Sequence, residues 1–91
     1  MATEAKQTVN TVYQQHRTAL RSKQVIFNLT DDQIEEMDLE VVLNTKYNNR
    51  KTQQVIKGTE EGISMLIMTL SKKEFEDESV NIEIEDVNII L

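Results

Sequence analysis

The chain has 91 residues and a formal net charge of −6, with 38% hydrophobic residues, 29% charged residues and no cysteine or proline. This length allows one domain with a single core, and the apolar content excludes a chain that is disordered throughout. The absence of cysteine excludes disulfides, zinc-thiolate sites, iron–sulfur clusters and thiol nucleophiles.

Charge is segregated along the chain. Residues 1–24 sum to +3, residues 25–43 to −6, residues 44–59 to +4 and residues 60–91 to −7. This pattern predicts a bipolar surface that steers an oppositely patterned partner, or a second copy of the chain, into register. The alternative is that charged residues only occupy solvated faces, and that folding brings opposite charges together.

The first predicted element is an amphipathic helix over residues 8–23. Its apolar side chains recur at helical spacing, with the single histidine, His16, on the same stripe. The stripe consists of Val9, Val12, Tyr13, Ala19 and Leu20. Because the stripe is thin, we expect this helix to need a surface on which it can lie.

A short strand and a short helix are predicted next. Residues 24–29 are β-branched and aromatic, which is typical of a strand. Thr30 and Gln33 then match a capping box, in which each side chain bonds to the backbone of the other residue. This predicts a short acidic helix at 31–37.

Residues 39–57 carry the clearest hairpin pattern. Apolar and polar residues alternate as far as Asn48 and Asn49, and asparagine tolerates the left-handed dihedrals of a two-residue primed turn. The register that this turn sets pairs Val42 with Val55, Val41 with Ile56, Thr45 with Thr52 and Glu40 with Lys57.

Residues 59–75 fit two patterns, because some apolar residues alternate and others lie at helical spacing. Thr59 is a good N-cap, two glutamates follow it and two lysines lie at the far end, so we predict a helix over 59–73. An all-β arrangement, with a turn at 59–62, stays open.

The last predicted element is a strand over 80–90. Its apolar residues are even-numbered up to Ile84 and then odd-numbered from Val87. A change of phase in a strand is typical of a β-bulge, which would fall near Glu85 and Asp86, unless the last residues leave the sheet.

These elements predict a small two-layer α+β domain over residues 1–91. Its sheet has four mainly antiparallel strands, at 24–29, 39–47, 50–57 and 80–90, and the helix at 59–73 packs on it. Residues 1–23 form an amphipathic helix that is a candidate oligomerisation or partner-docking arm on a core of residues 24–91.

In a single chain, the thin N-terminal stripe and the apolar C-terminus would both leave apolar surface exposed to water. We therefore expect a homodimer or a higher oligomer. The predicted interface consists of Val9, Val12, Tyr13, Leu20, Ile89 and Leu91.

No motif in the sequence indicates catalysis. A lone histidine on a helix stripe is typically a packing residue, and acidic residues such as Asp31 and Asp32 are common where a helix begins. The sequence has no nucleophile elbow, P-loop or dinucleotide fingerprint. We therefore expect no enzymatic activity, no metal site and no cofactor.

Function is predicted to be that of a small acidic, non-catalytic interaction protein, an inhibitor or adaptor that binds a protein partner. Carboxylates are suited to occlude a basic nucleic-acid-binding surface, because they can lie where phosphates would lie. The predicted acidic face consists of Glu74, Glu76, Asp77, Glu78, Glu83, Glu85 and Asp86. No apolar run approaches the roughly 20 residues of a membrane-spanning helix, so we expect a cytoplasmic protein that does not contact membranes.

The tip of the hairpin is a second candidate surface, for a partner or an anion. It combines basic groups with an aromatic ring in Lys46, Tyr47, Arg50 and Lys51. The net charge of −6 disfavours direct binding of nucleic acid. Two alternatives stay open: an oligomeric regulator that binds a nucleotide-like anion, and an oligomeric structural component of a phage or mobile element.

Overall fold

The protein is described here by a computed structural model of residues 11–91. The elements in chain order are α1 (Thr11–Phe27), α2 (Asp31–Glu36), β1 (Asp38–Tyr47), β2 (Arg50–Thr59), α3 (Glu60–Glu76) and β3 (Val80–Ile90). Residues 8–10 of the predicted first helix lie outside the described residues. No helix between Thr11 and Leu91 has the length and apolar content needed to cross a membrane.

The predicted strand at 24–29 is wrong, because α1 continues through Phe27. Asn28 adopts a left-handed φ of 55°. Its N–H donates to the Val25 carbonyl at 3.2 Å, and the Leu29 N–H donates to the Gln24 carbonyl at 3.0 Å. These two bonds form a Schellman motif, which ends the helix after Phe27 and overrides the β propensity of its last turn. The sheet therefore has three strands, not four.

The predicted helix at residues 31–37 is confirmed as α2. The Gln33 N–H donates to the Thr30 hydroxyl at 3.1 Å, and the Thr30 N–H donates to the Gln33 side chain at 2.8 Å. This is the capping box that the sequence predicts, and it satisfies backbone donors at the start of the helix.

Residues 60–76 are a helix, so the all-β alternative is wrong. The Thr59 hydroxyl accepts a hydrogen bond from the Gly62 N–H at 3.3 Å, which caps the first turn of α3. The helix runs three residues beyond the predicted end, so it includes Glu74 and Glu76.

The hairpin has the predicted register. β1 and β2 pair antiparallel, with Val42 opposite Val55 and Glu40 opposite Lys57. The turn residues Asn48 and Asn49 have φ values of 50° and 69°, the left-handed pair that a two-residue primed turn requires.

β3 pairs antiparallel with the other side of β1, which gives the strand order β2-β1-β3. The predicted bulge is present, because Ile84 lies opposite Leu43 while Asp86 lies opposite Val42. Glu85 is therefore the extra residue, and it shifts the side-chain phase of β3 by one position.

The core lies between one face of the sheet and the helices α1 and α3. It is made of alternate strand residues and of one stripe from each helix. Its buried residues are Leu39, Val41 and Leu43 of β1, Val80, Ile82, Val87 and Ile89 of β3, Val12 and Leu20 of α1, Ile34 of α2, and Ile63 and Ile67 of α3. The opposite face of the sheet carries none of these helices.

Candidate functional site

The uncovered side of the sheet, called the open face below, is the candidate functional site. Paired residues on neighbouring strands project to the same side, so the register defines its members. They are Asp38, Glu40, Val42, Asn44 and Lys46 of β1, Lys51, Gln53, Val55, Lys57 and Thr59 of β2, and Asn81, Glu83, Glu85, Asp86, Asn88 and Ile90 of β3. The open face is mainly polar, whereas the covered face forms the apolar core.

Charge on the open face changes sign across the sheet. β2 contributes Lys51 and Lys57, whereas β3 contributes Glu83, Glu85 and Asp86. A Lys57–Glu40 ion pair, with Nζ and Oε2 at 3.8 Å, links β2 to β1. An exposed pair of this kind contributes little to stability, so Lys57 stays available to a partner. Asp86 Oδ1 is paired with Lys23 Nζ of α1 at 3.6 Å and accepts from the Val87 N–H, so Glu83 and Glu85 are the β3 carboxylates that a partner would meet first.

A hydrogen-bond network crosses all three strands at the centre of the open face. The Asn44 side-chain amide donates to Glu85 Oε1 at 2.7 Å. The Gln53 amide donates to Asn44 Oδ1 and to Glu85 Oε1, both at 3.2 Å. The bulge brings the Glu85 carboxylate within reach of both amides, and the network holds it in one orientation.

A groove of about 890 Å³ lies at the hairpin end of the open face. Its lining includes Lys46 and Lys51, which lie opposite each other, and also Glu78 and Glu83. Tyr47 and Arg50 are paired with each other and project to the other side of the hairpin. The four residues of the predicted tip surface are thus divided between two faces.

The seven predicted acidic residues are also divided. Glu83, Glu85 and Asp86 lie on the open face, while Glu74, Glu76, Asp77 and Glu78 lie at the end of α3 and in the loop after it. Glu74 accepts a hydrogen bond from the Ile82 N–H at 2.9 Å. Hydrogen bonds from the Ser79 hydroxyl and N–H, at 2.7 and 2.9 Å, lower the pKa of Asp77. Glu74 and Asp77 therefore have local structural roles.

Most residues of the predicted oligomer interface pack in or against the core of the single chain. Val12, Leu20 and Ile89 are in the core, and Tyr13 is half-buried against it. Leu91 is exposed, and Val9 lies outside the described residues. The thin apolar stripe of α1 packs against the sheet and against α3 of the same chain.

His16 is fully buried on α1, and neither ring nitrogen has a hydrogen-bond partner. Burial lowers the pKa of His16, the nearby Glu60 carboxylate raises it, and Arg17 lowers it. Between residues 11 and 91, no group of three or more histidine, cysteine, aspartate or glutamate side chains is arranged to hold a metal.

Comparisons with protein-family models, with curated proteins and with solved structures gave no match. The chemistry of the open face is therefore the basis for a proposal of function. Two central residues of the open face, Asn44 and Gln53, are not among the site residues predicted from the sequence. The alternation of polar residues in the hairpin indicates that Asn44 and Gln53 lie on the polar side of the sheet. Their contact with Glu85 could not be predicted, because it depends on how β3 pairs with β1.

Proposed function

We propose that this protein is a non-catalytic interaction protein, an inhibitor or adaptor, that binds a protein partner through the open face of its sheet. The observation that carries the proposal is the polarity of that face, with lysines along β2 and carboxylates along β3. The partner then has a basic stripe that faces β3 and an acidic stripe that faces β2.

The arrangement of the acidic row supports this kind of binding. Glu85 is held by the amides of Asn44 and Gln53, so its carboxylate loses little conformational freedom when a partner binds. Val42 and Val55 add a small apolar contact beside the network. A basic nucleic-acid-binding surface is one surface that such a row of carboxylates would occlude.

The test compares two variants that lose the same charge from different surfaces. The open-face variant carries Glu83→Gln and Glu85→Gln, and the control carries Glu35→Gln and Glu36→Gln on the exposed side of α2. Each protein is immobilised and incubated with an extract of the source cells, and the proteins retained are quantified by mass spectrometry. We expect one partner that the wild type and the control retain and that the open-face variant loses.

The partner is then purified and titrated by calorimetry. We expect the open-face variant to bind at least tenfold more weakly, and the affinity of the wild type to fall with added salt. Equal affinity for the wild type and the open-face variant contradicts the proposal, as does the absence of any retained partner.

A further inference from the structure

The two edges of the sheet differ in how their backbone groups are satisfied. On the outer edge of β3, the Ile82 N–H donates to Glu74 Oε2 at 2.9 Å and the Ile84 N–H donates to Gln15 Oε1 at 3.0 Å. Side chains from α3 and α1 thus occupy two of the donors that another strand would need. Protein sheets commonly block an edge in this way.

β2 forms the other edge and is open. In a two-residue hairpin the residues that flank the turn, here Tyr47 and Arg50, form a hydrogen-bonded pair, and such pairs then alternate. The N–H and C=O groups of Lys51, Gln53 and Val55 therefore point away from β1. Between residues 11 and 91, these outward groups make no hydrogen bond to another backbone group or to a side chain. β2 has no proline and no bulge against β1, which are two features that stop an edge strand from pairing. Lys51 and Lys57 are charged, so the register of any pairing must place them opposite uncharged or acidic residues.

We propose that β2 pairs antiparallel with β2 of a second copy, so that two sheets join into one of six strands. The pairing places Val55 opposite Val55 of the other copy at the two-fold axis. Gln53 then lies opposite Lys57, and Lys51 lies opposite Thr59. Val55 is 52% exposed in the single chain, and this contact would cover its apolar side chain.

Charge supports this register. β2 begins with Arg50 and Lys51 and is followed by the exposed Glu61 of α3, whereas Glu60 is already paired with Arg17 at 3.0 Å. Antiparallel pairing about Val55 brings the basic start of each β2 beside the acidic start of the other copy's α3. The two-fold axis of the dimer makes this contact occur twice. A shift of the second copy by two residues toward the hairpin turn would instead place Lys51 opposite Lys57, and like charges disfavour that pair. The opposite shift would place Val55 opposite Lys57 and remove the contact between the two valines.

The blocked edge of β3 limits the assembly. Each copy has one open edge, and pairing through it uses that edge in both copies. The association is therefore closed at two, rather than continuing into a fibre. This dimer joins through β2, whereas sequence analysis placed the interface on α1 and the C-terminus.

The test is the molar mass in solution, measured by light scattering after size exclusion and by native mass spectrometry. We expect the wild type at twice 10.5 kDa, and Val55→Lys at 10.5 kDa because two lysines would meet at the axis. The control is Met65→Lys, which adds the same charge at a side chain that is 68% exposed on α3. We expect Met65→Lys to remain a dimer.

A second pair of variants tests whether residue 55 meets itself. Val55→Lys and Val55→Glu should each be monomeric, and their equimolar mixture should form a heterodimer. Three results overturn the proposal: a wild type that stays at 10.5 kDa, a Val55→Lys variant that dimerises like the wild type, or a mixture that does not associate. The two tests can fail separately, because the retention experiment changes Glu83 and Glu85 of β3 whereas the mass measurement changes Val55 of β2, whose side chain lies on the open face at its β2 edge.

Discussion

At the scale of single residues, His16 is the feature with the clearest thermodynamic consequence. Its ring is fully buried and neither nitrogen has a hydrogen-bond partner, so folding removes its hydrogen bonds to water without replacing them. Burial lowers its pKa, and of the two charged neighbours Glu60 opposes that shift while Arg17 adds to it. The folded protein therefore holds His16 in the neutral form at neutral pH.

We predict that the free energy of unfolding falls as the pH drops below about 6.5, the pKa of an unperturbed histidine. In that range the unfolded chain binds a proton at His16 that the folded chain does not, so stability rises with pH. The slope is at most about 1.4 kcal/mol per pH unit. Urea unfolding at several pH values between about 5.5 and 7.5 measures it.

Two variants separate the charge of His16 from its polarity. His16→Gln removes the titration but keeps a buried polar group, so its stability should change less over this pH range than that of the wild type. His16→Leu should also be more stable than His16→Gln, by about 1–3 kcal/mol, because no buried polar group is left without a partner. If all three proteins show the same pH dependence, His16 is not the titrating group.

At the scale of elements, Asn28 decides where α1 ends. Its φ of 55° costs most L-residues about 1–2 kcal/mol, whereas glycine adopts it freely and asparagine tolerates it. We predict that Asn28→Ala lowers the free energy of unfolding by about 1 kcal/mol and that Asn28→Gly leaves it equal or higher. Urea unfolding of the two variants and the wild type measures both changes. Equal losses in both variants would contradict a role for the left-handed conformation.

The same elements show which parts of the structure can be predicted from the sequence. The hairpin register and the bulge were predictable, because the Asn48-Asn49 turn fixes the pairing of the hairpin and the change of phase between Ile84 and Val87 marks the extra residue. The end of α1 was not, because the β propensity of Val25 to Phe27 opposes a helix stop that depends on one asparagine. The network around Glu85 was also beyond sequence reasoning, because it requires three strands in register.

At the scale of the whole molecule, the blocked edge of β3 should determine how large an assembly becomes. We predict that Gln15→Ala combined with Glu74→Ala exposes the Ile82 and Ile84 N–H groups to hydrogen exchange. The variant should also form species larger than a dimer, because both sheet edges are then open. Exchange is measured at these two amides by NMR, and size is measured by light scattering.

The matched control is Gln14→Ala combined with Glu76→Ala, which removes the same two side-chain types at exposed positions on α1 and α3. It should exchange and associate like the wild type. Unchanged protection of Ile82 and Ile84 in the edge variant would show that their side-chain partners do not block the edge.

The bulge residue of β3, Glu85, is required for the hydrogen-bond network of the open face but not for the packing of the core. Without Glu85, the residues of β3 would alternate between apolar and polar from Val80 to Ile89 with no interruption, and every apolar side chain would still reach the core. The residue that the fold can omit is the one whose carboxylate joins all three strands across the open face. A mutation that deleted it would therefore spare the folded state and remove the centre of the proposed binding surface, so selection to keep Glu85 would act on binding rather than on folding.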